Sequence, residues 1–266
     1  MGQGQISHAM KTHWRPLMLS THLGLAAVLL VSWFAPLSVV RPYWDALDAA
    51  VYLQLNGTLD SGDTWRWFWA VANTRIVDAV SALLFGAIFC VYIARGGWSA
   101  VPVRIAQGVF LSLFTVFILN LSSNWIFDFE RLSPSLVLKP FHGLAGMLGE
   151  VKVKDVSGNS FPGDHGTAVV LFTVFIGAFC GRRYGLVAGL LAFALVWPRM
   201  ISGAHWITDL LVGSASVALV AWALALATPL AACSVMLIAR VLAGVIHGLV
   251  AKRLLPAGAA AARAAV

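Results

Sequence analysis

The sequence predicts an all-α fold: a polytopic membrane helical bundle with six transmembrane helices plus interfacial helices. Three observations lead there. The chain of 266 residues is 60% hydrophobic and only 11% charged, far from the balance of a soluble domain. Its apolar residues gather into runs near 19–40, 76–94, 103–123, 167–181, 185–198 and 207–227, and about 20 residues suffice to cross a bilayer. The charges between those runs are sorted by sign. With a cytoplasmic amino terminus, Lys11, Arg15, Arg95, Arg104, Arg182, Arg183, Arg240, Lys252, Arg253 and Arg263 lie inside with no acidic residue among them. All 11 Asp and Glu fall outside or at outer helix ends. That is the positive-inside pattern, and a basic face beside anionic lipid accounts for the net charge of +7 without nucleic acid.

The first run offers no small-residue cleavage site at Trp33-Phe34-Ala35-Pro36, so it reads as a retained span. Ile6 stands where a myristoylation signal needs Ser or Thr. Residues 41–75 form an outer segment. Tyr43-Trp44-Asp45 to Tyr52 has the spacing of an interfacial helix, and Trp65-Arg66-Trp67-Phe68-Trp69 reads as an aromatic belt at headgroup level. The long stretch 125–165, rich in Pro, Gly and charge, reads as a lid or headgroup-recognition loop. Gly181-Arg182-Arg183 divides the fourth and fifth runs into two spans joined by a tight turn. Residues 1–228 thus make the membrane bundle. Residues 229–266 read as an amphipathic inner-leaflet helix, with Arg240 and His247 on one face, and a frayed Ala-rich end. Cys90, Cys180 and Cys233 are too widely spaced for a disulfide framework or zinc site and read as buried small apolar residues.

Ionisable groups are costly near a bilayer and mark function there. Arg199, His205 and Asp209 stand six and four residues apart between two apolar runs, and His165 opens another in Phe161-Pro162-Gly163-Asp164-His165-Gly166. The stated topology carries Arg131, His165, Arg199, His205 and Asp209 to one membrane face. These residues suit phosphoryl transfer. A neutral His205 can attack phosphorus, while Asp209, one turn on, fixes its tautomer. His165 is placed to protonate the leaving oxygen and then deprotonate an acceptor. Asp164, beside it, favours the charged imidazole. Arg131 and Arg199 supply planar donors, and amides after Gly163 open a helix suited to anions. The grouping implies no metal and no cofactor. His8, His13, His22, His142 and His247 have no supporting constellation.

With these residues in view, the chain resembles the type 2 phosphatidic acid phosphatase family, whose motifs are Lys-x6-Arg-Pro, Pro-Ser-Gly-His and Ser-Arg-x5-His-x3-Asp. The third matches as Pro198-Arg199-x5-His205-x3-Asp209 and the second as Pro162-Gly163-Asp164-His165. The first is loosest: Arg131 takes the arginine position, Pro134 is displaced by two, and Asn124 replaces the lysine. Phe161 to Gly166, Gly203-Ala204-His205-Trp206, Asn73-Thr74-Arg75-Ile76-Val77-Asp78 and the Trp44-x3-Asp48 neighbourhood resemble its undecaprenyl-diphosphate-dependent lipid A phosphotransferase branch. The resemblance implies a donor, undecaprenyl diphosphate, an acceptor, lipid A, a periplasmic site in a bacterial inner membrane, and phosphate contacts from Arg131, Arg199, Gly163 and Asn124. Asn73, Arg75, Asp78, Lys152 and Lys154 are further candidate contacts. The rivals are a lipid phosphatase, for undecaprenyl diphosphate or phosphatidylglycerol phosphate, and a headgroup-binding membrane protein without catalysis.

Overall fold

A computed structural model describes residues 13–34, 39–252 and 254. Lys11, Arg253, Arg263 and the Ala-rich end lie outside them. The elements are α1 (Pro16–Phe34), α2 (Arg41–Gly57), α3 (Asp63–Ala72), α4 (Arg75–Ala94), α5 (Val101–Leu121), α6 (Asp164–Cys180), α7 (Arg182–Ile201), α8 (Ala215–Leu226) and α9 (Leu230–Ala251). One helical turn, Pro134–Val137, lies in the long loop. Single π-helical turns follow α5 at Ser122–Ile126 and precede α8 at Asp209–Ser214. Extended pairing among the described residues is confined to two isolated bridges, Thr74 with Val153 and Arg131 with Asn159.

Helices this apolar on every side belong in a membrane or a deep core. Six are long and apolar enough to cross: Pro16–Phe34, Arg75–Ala94, Trp98–Ile126, Arg182–Ile201, Asp209–Leu226 and Leu230–Ala251. Helix α6 is shorter, at 17 residues. The protein is a multi-pass membrane protein. The expected run 19–40 contributes α1, described to Phe34, and Arg41 already opens α2. The segment expected on the inner leaflet folds as α9, whose buried Ala231, Val235, Ala239 and Ala243 recur every four residues and face α5. Lipid supplies no hydrophobic drive between helices, so such small-residue faces are where packing is gained.

The core is aromatic and centred on α5, α6 and α8. Phe110, Phe114, Phe175 and Phe179 contact one another, and Leu171, Ile176, Val212 and Ala221 are fully enclosed. Leu83, Leu113, Val116, Leu190 and Phe193 cover the outside, as lipid-facing residues should. Cys90 and Cys233 are on that outer face, contrary to the buried positions expected from sequence. Helices α6 and α7 cross at glycines: a Cβ on Gly185 would stand 2.7 Å from the Gly177 Cα.

The long loop is anchored rather than loose. Ser133 and Ser160 amides donate to Ser157 and Arg131 carbonyls at 2.9 and 2.8 Å. Asp155 accepts the Leu144 and Ala145 amides at 2.9 Å. Asn56 of α2 accepts the His142 amide at 2.8 Å and donates to the Ile201 carbonyl at 3.0 Å. Buried backbone polar groups demand such partners.

Candidate active site

The site is assembled where α7 ends. Gly203 takes φ +78° after the last helical turn, a conformation that suits glycine, and the chain reverses through His205 into the π-helical turn. The Asp209 carboxylate, 1% exposed, reaches back to accept the Trp206 amide at 2.9 Å. This is one half of a capping box, the acid reaching back to the amide three residues before it, and here it also fixes a histidine. His205 Nδ1 lies 2.9 Å from the Ser160 carbonyl and 3.2 Å from Asp209 Oδ2. Both partners accept, so Nδ1 carries the hydrogen, and in the neutral ring Nε2 keeps its lone pair.

Asp209 is held in turn. Its Oδ1 accepts from Arg131, whose other terminal nitrogen donates to Asp48 Oδ2 at 2.8 Å and Thr208 Oγ1 at 2.9 Å. Asp48, on the buried face of α2, also accepts the Thr208 amide at 3.0 Å and its hydroxyl at 2.7 Å. The guanidinium lies over the Trp33, Phe161 and Trp206 rings, 4.6, 5.8 and 5.4 Å from their centroids, an arrangement that favours a cation. Burial raises the Asp48 pKa above the ordinary carboxylate value, opposed by the Thr208 hydrogen bonds and Arg131.

Across the pocket, Arg199 is 7% exposed. It donates to Asn73 Oδ1 at 2.5 Å and to Asp78 Oδ2 at 2.6 Å. The other Asp78 oxygen is 3.8 Å from His165 Nδ1. His165, Arg199, His205 and Asp209 line one pocket with Gly163, Gly166, Met200 and Ser214. Lys154 lies within electrostatic reach of Arg199, Asp78 and Asp164. Its side chain is open to solvent on one side but hemmed in on the other, and that desolvation lowers its pKa. Arg199 pushes the same way, while Asp164 and Asp78 oppose.

Close backbone approach brings the two histidines together. Gly163 (φ +82°) precedes α6, and the Ser214 hydroxyl donates to the Pro162 and Gly163 carbonyls at 3.0 and 3.1 Å. A Cβ on Gly213 would stand 2.6 Å from the Pro162 oxygen. Gly213→Ala should therefore cost about 1–3 kcal/mol through overpacking, measured as a lowered unfolding temperature in detergent. It should also lower activity by moving α6 from the π-helical turn.

The sequence-predicted residues divide into groups. His165, Arg199, His205, Asp209 and Gly163 share the pocket. Arg131 sits behind Asp209 and does not line it, because Asp48 and Asp209 take up its terminal nitrogens. Asn73 is buried and accepts from Arg199 while donating to the Lys154 carbonyl at 2.7 Å, so it ties the loop to the turn before α4. Arg75 and Lys152 are exposed, and so is Asn124 in the turn after α5. Asp164 accepts from Ser123; the carboxylate nearest His165 is Asp78, not the Asp164 expected from adjacency. Sequence reasoning gave no site role to Asp48, Thr208, Ser160 or Ser214. Asp48 entered only through the Trp44-x3-Asp48 resemblance, without a role; the four-residue spacing of Asp48, Tyr52 and Asn56 on one buried face of α2 is a further signal that could have found it. Among the described residues, no group of three or more His, Cys, Asp or Glu is placed to hold a metal ion.

The sequence model of the PAP2 superfamily matches residues 108–232. The chain is 30% identical over 214 residues to the lipid A 1-diphosphate synthase of Escherichia coli K12, covering 80% of this chain and 88% of that protein. The chain belongs to the PAP2 superfamily. A shorter match, 40% identical over 57 residues, covers 21% of this chain and 28% of YbjG from the same organism, provisionally named an undecaprenyl-diphosphatase. No solved structure matches. The PAP2 membership and these relatives make the protein an enzyme of the lipid phosphotransferase and phosphatase class.

Proposed function

We propose that this enzyme moves the terminal phosphate of undecaprenyl diphosphate to the 1-phosphate of lipid A through a phosphohistidine on His205. The site would face the periplasm from a bacterial inner membrane, with the amino terminus cytoplasmic. One observation supports the covalent step above others: His205 Nδ1 is committed to two acceptors while the ring lines a pocket with His165 and Arg199. In the first step Nε2 attacks the terminal phosphorus and the bridging P–O bond breaks. Undecaprenyl phosphate departs with a proton from His165. In the second, His165 takes the proton of the acceptor phosphate, whose oxygen attacks phosphorus, and the N–P bond returns its electrons to Nε2. Arg199 and the first amides of α6 after Gly163 balance the charge on the transferred group. Arg75, Lys152 and Lys154 contact the outer phosphates, and Asn124 flanks them in place of a cation.

Incubation of the full chain with undecaprenyl diphosphate labelled in its terminal phosphate, plus lipid A, should yield labelled lipid A 1-diphosphate. Free phosphate alone would reject the transferase reading. It would leave the hydrolase that the shorter match favours, in which water replaces the acceptor.

Lys154 gives a pH signature. Its lowered pKa means that its charge is lost earlier than an ordinary lysine's as pH rises. Activity should decline on the alkaline side. Lys154→Arg, which stays charged, should move that decline upward; an unmoved profile would remove Lys154 from phosphate binding.

A further inference from the structure

The bundle has a second cavity at the end away from the catalytic pocket. A groove of about 520 Å³ opens between α1, α6, α7 and α8, walled by Met18, Val174, Ala178 and Trp222, with Arg15 and Arg182 also lining it. Its volume falls in the range of about 300–1,000 Å³ typical of ligand sites. Arg182 begins α7 and Arg199 lies in its last turn, so at 1.5 Å per residue the groove and the catalytic pocket are about 25 Å apart along that helix.

The two arginines have no carboxylate to meet. Every Asp and Glu of the chain is confined to the opposite end or the segments beyond it, and neither arginine is in an ion pair among the described residues. Arg15 is held in place through its backbone, whose amide donates to the Ala227 carbonyl at 2.8 Å. Among the described residues, its guanidinium has only the Met18 sulfur, at 3.7 Å. An apolar trough with two guanidinium groups at its rim matches one amphiphile: a hydrocarbon chain ending in an anion. Guanidinium binds phosphate with paired donors. A zwitterionic headgroup would bring its own cation against the two arginines, and free phosphate would leave the trough empty.

We propose that this groove binds an anionic phospholipid of the leaflet opposite the active site, its acyl chain along α6 and α8 and its phosphate between Arg15 and Arg182. The bound lipid bridges α1, the α6–α7 hairpin and α8 at an end where the protein provides no counter-charge.

The full chain, purified in a nonionic detergent, can be titrated with dioleoyl phosphatidylglycerol and followed by native mass spectrometry and thermal unfolding. A retained one-lipid adduct and a saturable rise in Tm are expected. Dioleoyl phosphatidylcholine and glycerol 1-phosphate should give neither. R15Q/R182Q should weaken binding by about tenfold or more, R240Q should not, and His205→Ala should bind as the parent does. Ala178→Phe, which fills the trough and keeps both arginines, should also lose the adduct, and it decides the matter if R15Q/R182Q does not fold. Equal binding of the two phospholipids, binding of glycerol 1-phosphate, an undiminished adduct in R15Q/R182Q, or loss in His205→Ala would each overturn the proposal.

Discussion

His205→Ala is expected to reduce phosphoryl transfer by roughly 10⁴-fold or more, the scale on which a covalent nucleophile's loss is felt. The remaining rate would come from binding and from charge balance by Arg199. His165→Ala should cost less, about 10²–10⁴-fold, the usual range for a general acid. Quenched reactions with labelled donor separate the two roles. The parent protein should carry an acid-labile, alkali-stable label, as an N–P bond does, and His205→Ala should carry none. Label persisting in His205→Ala would place the nucleophile elsewhere.

The second large effect is expected from a residue that does not touch the pocket. Asp48→Ala should lower kcat by about 10²-fold, as small misplacements of reacting groups do, while KM changes little. Asp48 holds Arg131, Arg131 holds Asp209, and Asp209 holds His205, so the loss is one of aim. Asp48→Asn keeps one acceptor oxygen, enough for Arg131 and the Thr208 hydroxyl, but turns a donor toward the Thr208 amide, and should recover only part of the rate. Stability argues the same way. Burial raises the Asp48 pKa, so this group's stabilising contribution is present below the unfolded-state value and lost as pH rises through the folded one. Near neutrality the ionised carboxylate costs stability, and its benefit is geometric. Unchanged kcat in Asp48→Ala would break the chain of contacts as an explanation.

Some of this was legible in the sequence and some was not, for physical reasons. Apolar runs fix spans because about 20 such residues have few other places to go. His205 and Asp209 were legible because their spacing is local. Arg131 was recognised, but its orientation was not: two acidic residues 83 and 78 positions away decide where its guanidinium goes. The Asp78 contact to His165 likewise joins different helices, whereas adjacency pointed to Asp164. Helix α9 was read as lying on the leaflet because the charge rule keeps Lys252 and Arg253 inside. The run of small residues facing α5 was the competing signal, and attaching a topology reporter after residue 252 would decide on which side the helix ends.

The Ser160 carbonyl that orients His205 belongs to the same long loop whose amides are spent on Ser157, Arg131, Asn56, Asp155 and Asn73. Such a roof cannot lift without unseating the imidazole beneath it. Hydrogen–deuterium exchange should accordingly find the amides of Ser133, His142, Leu144 and Ser160 as slow as those of the helices. A lipid arriving for reaction would then have to slide in sideways from the hydrocarbon, with no flap opening above it.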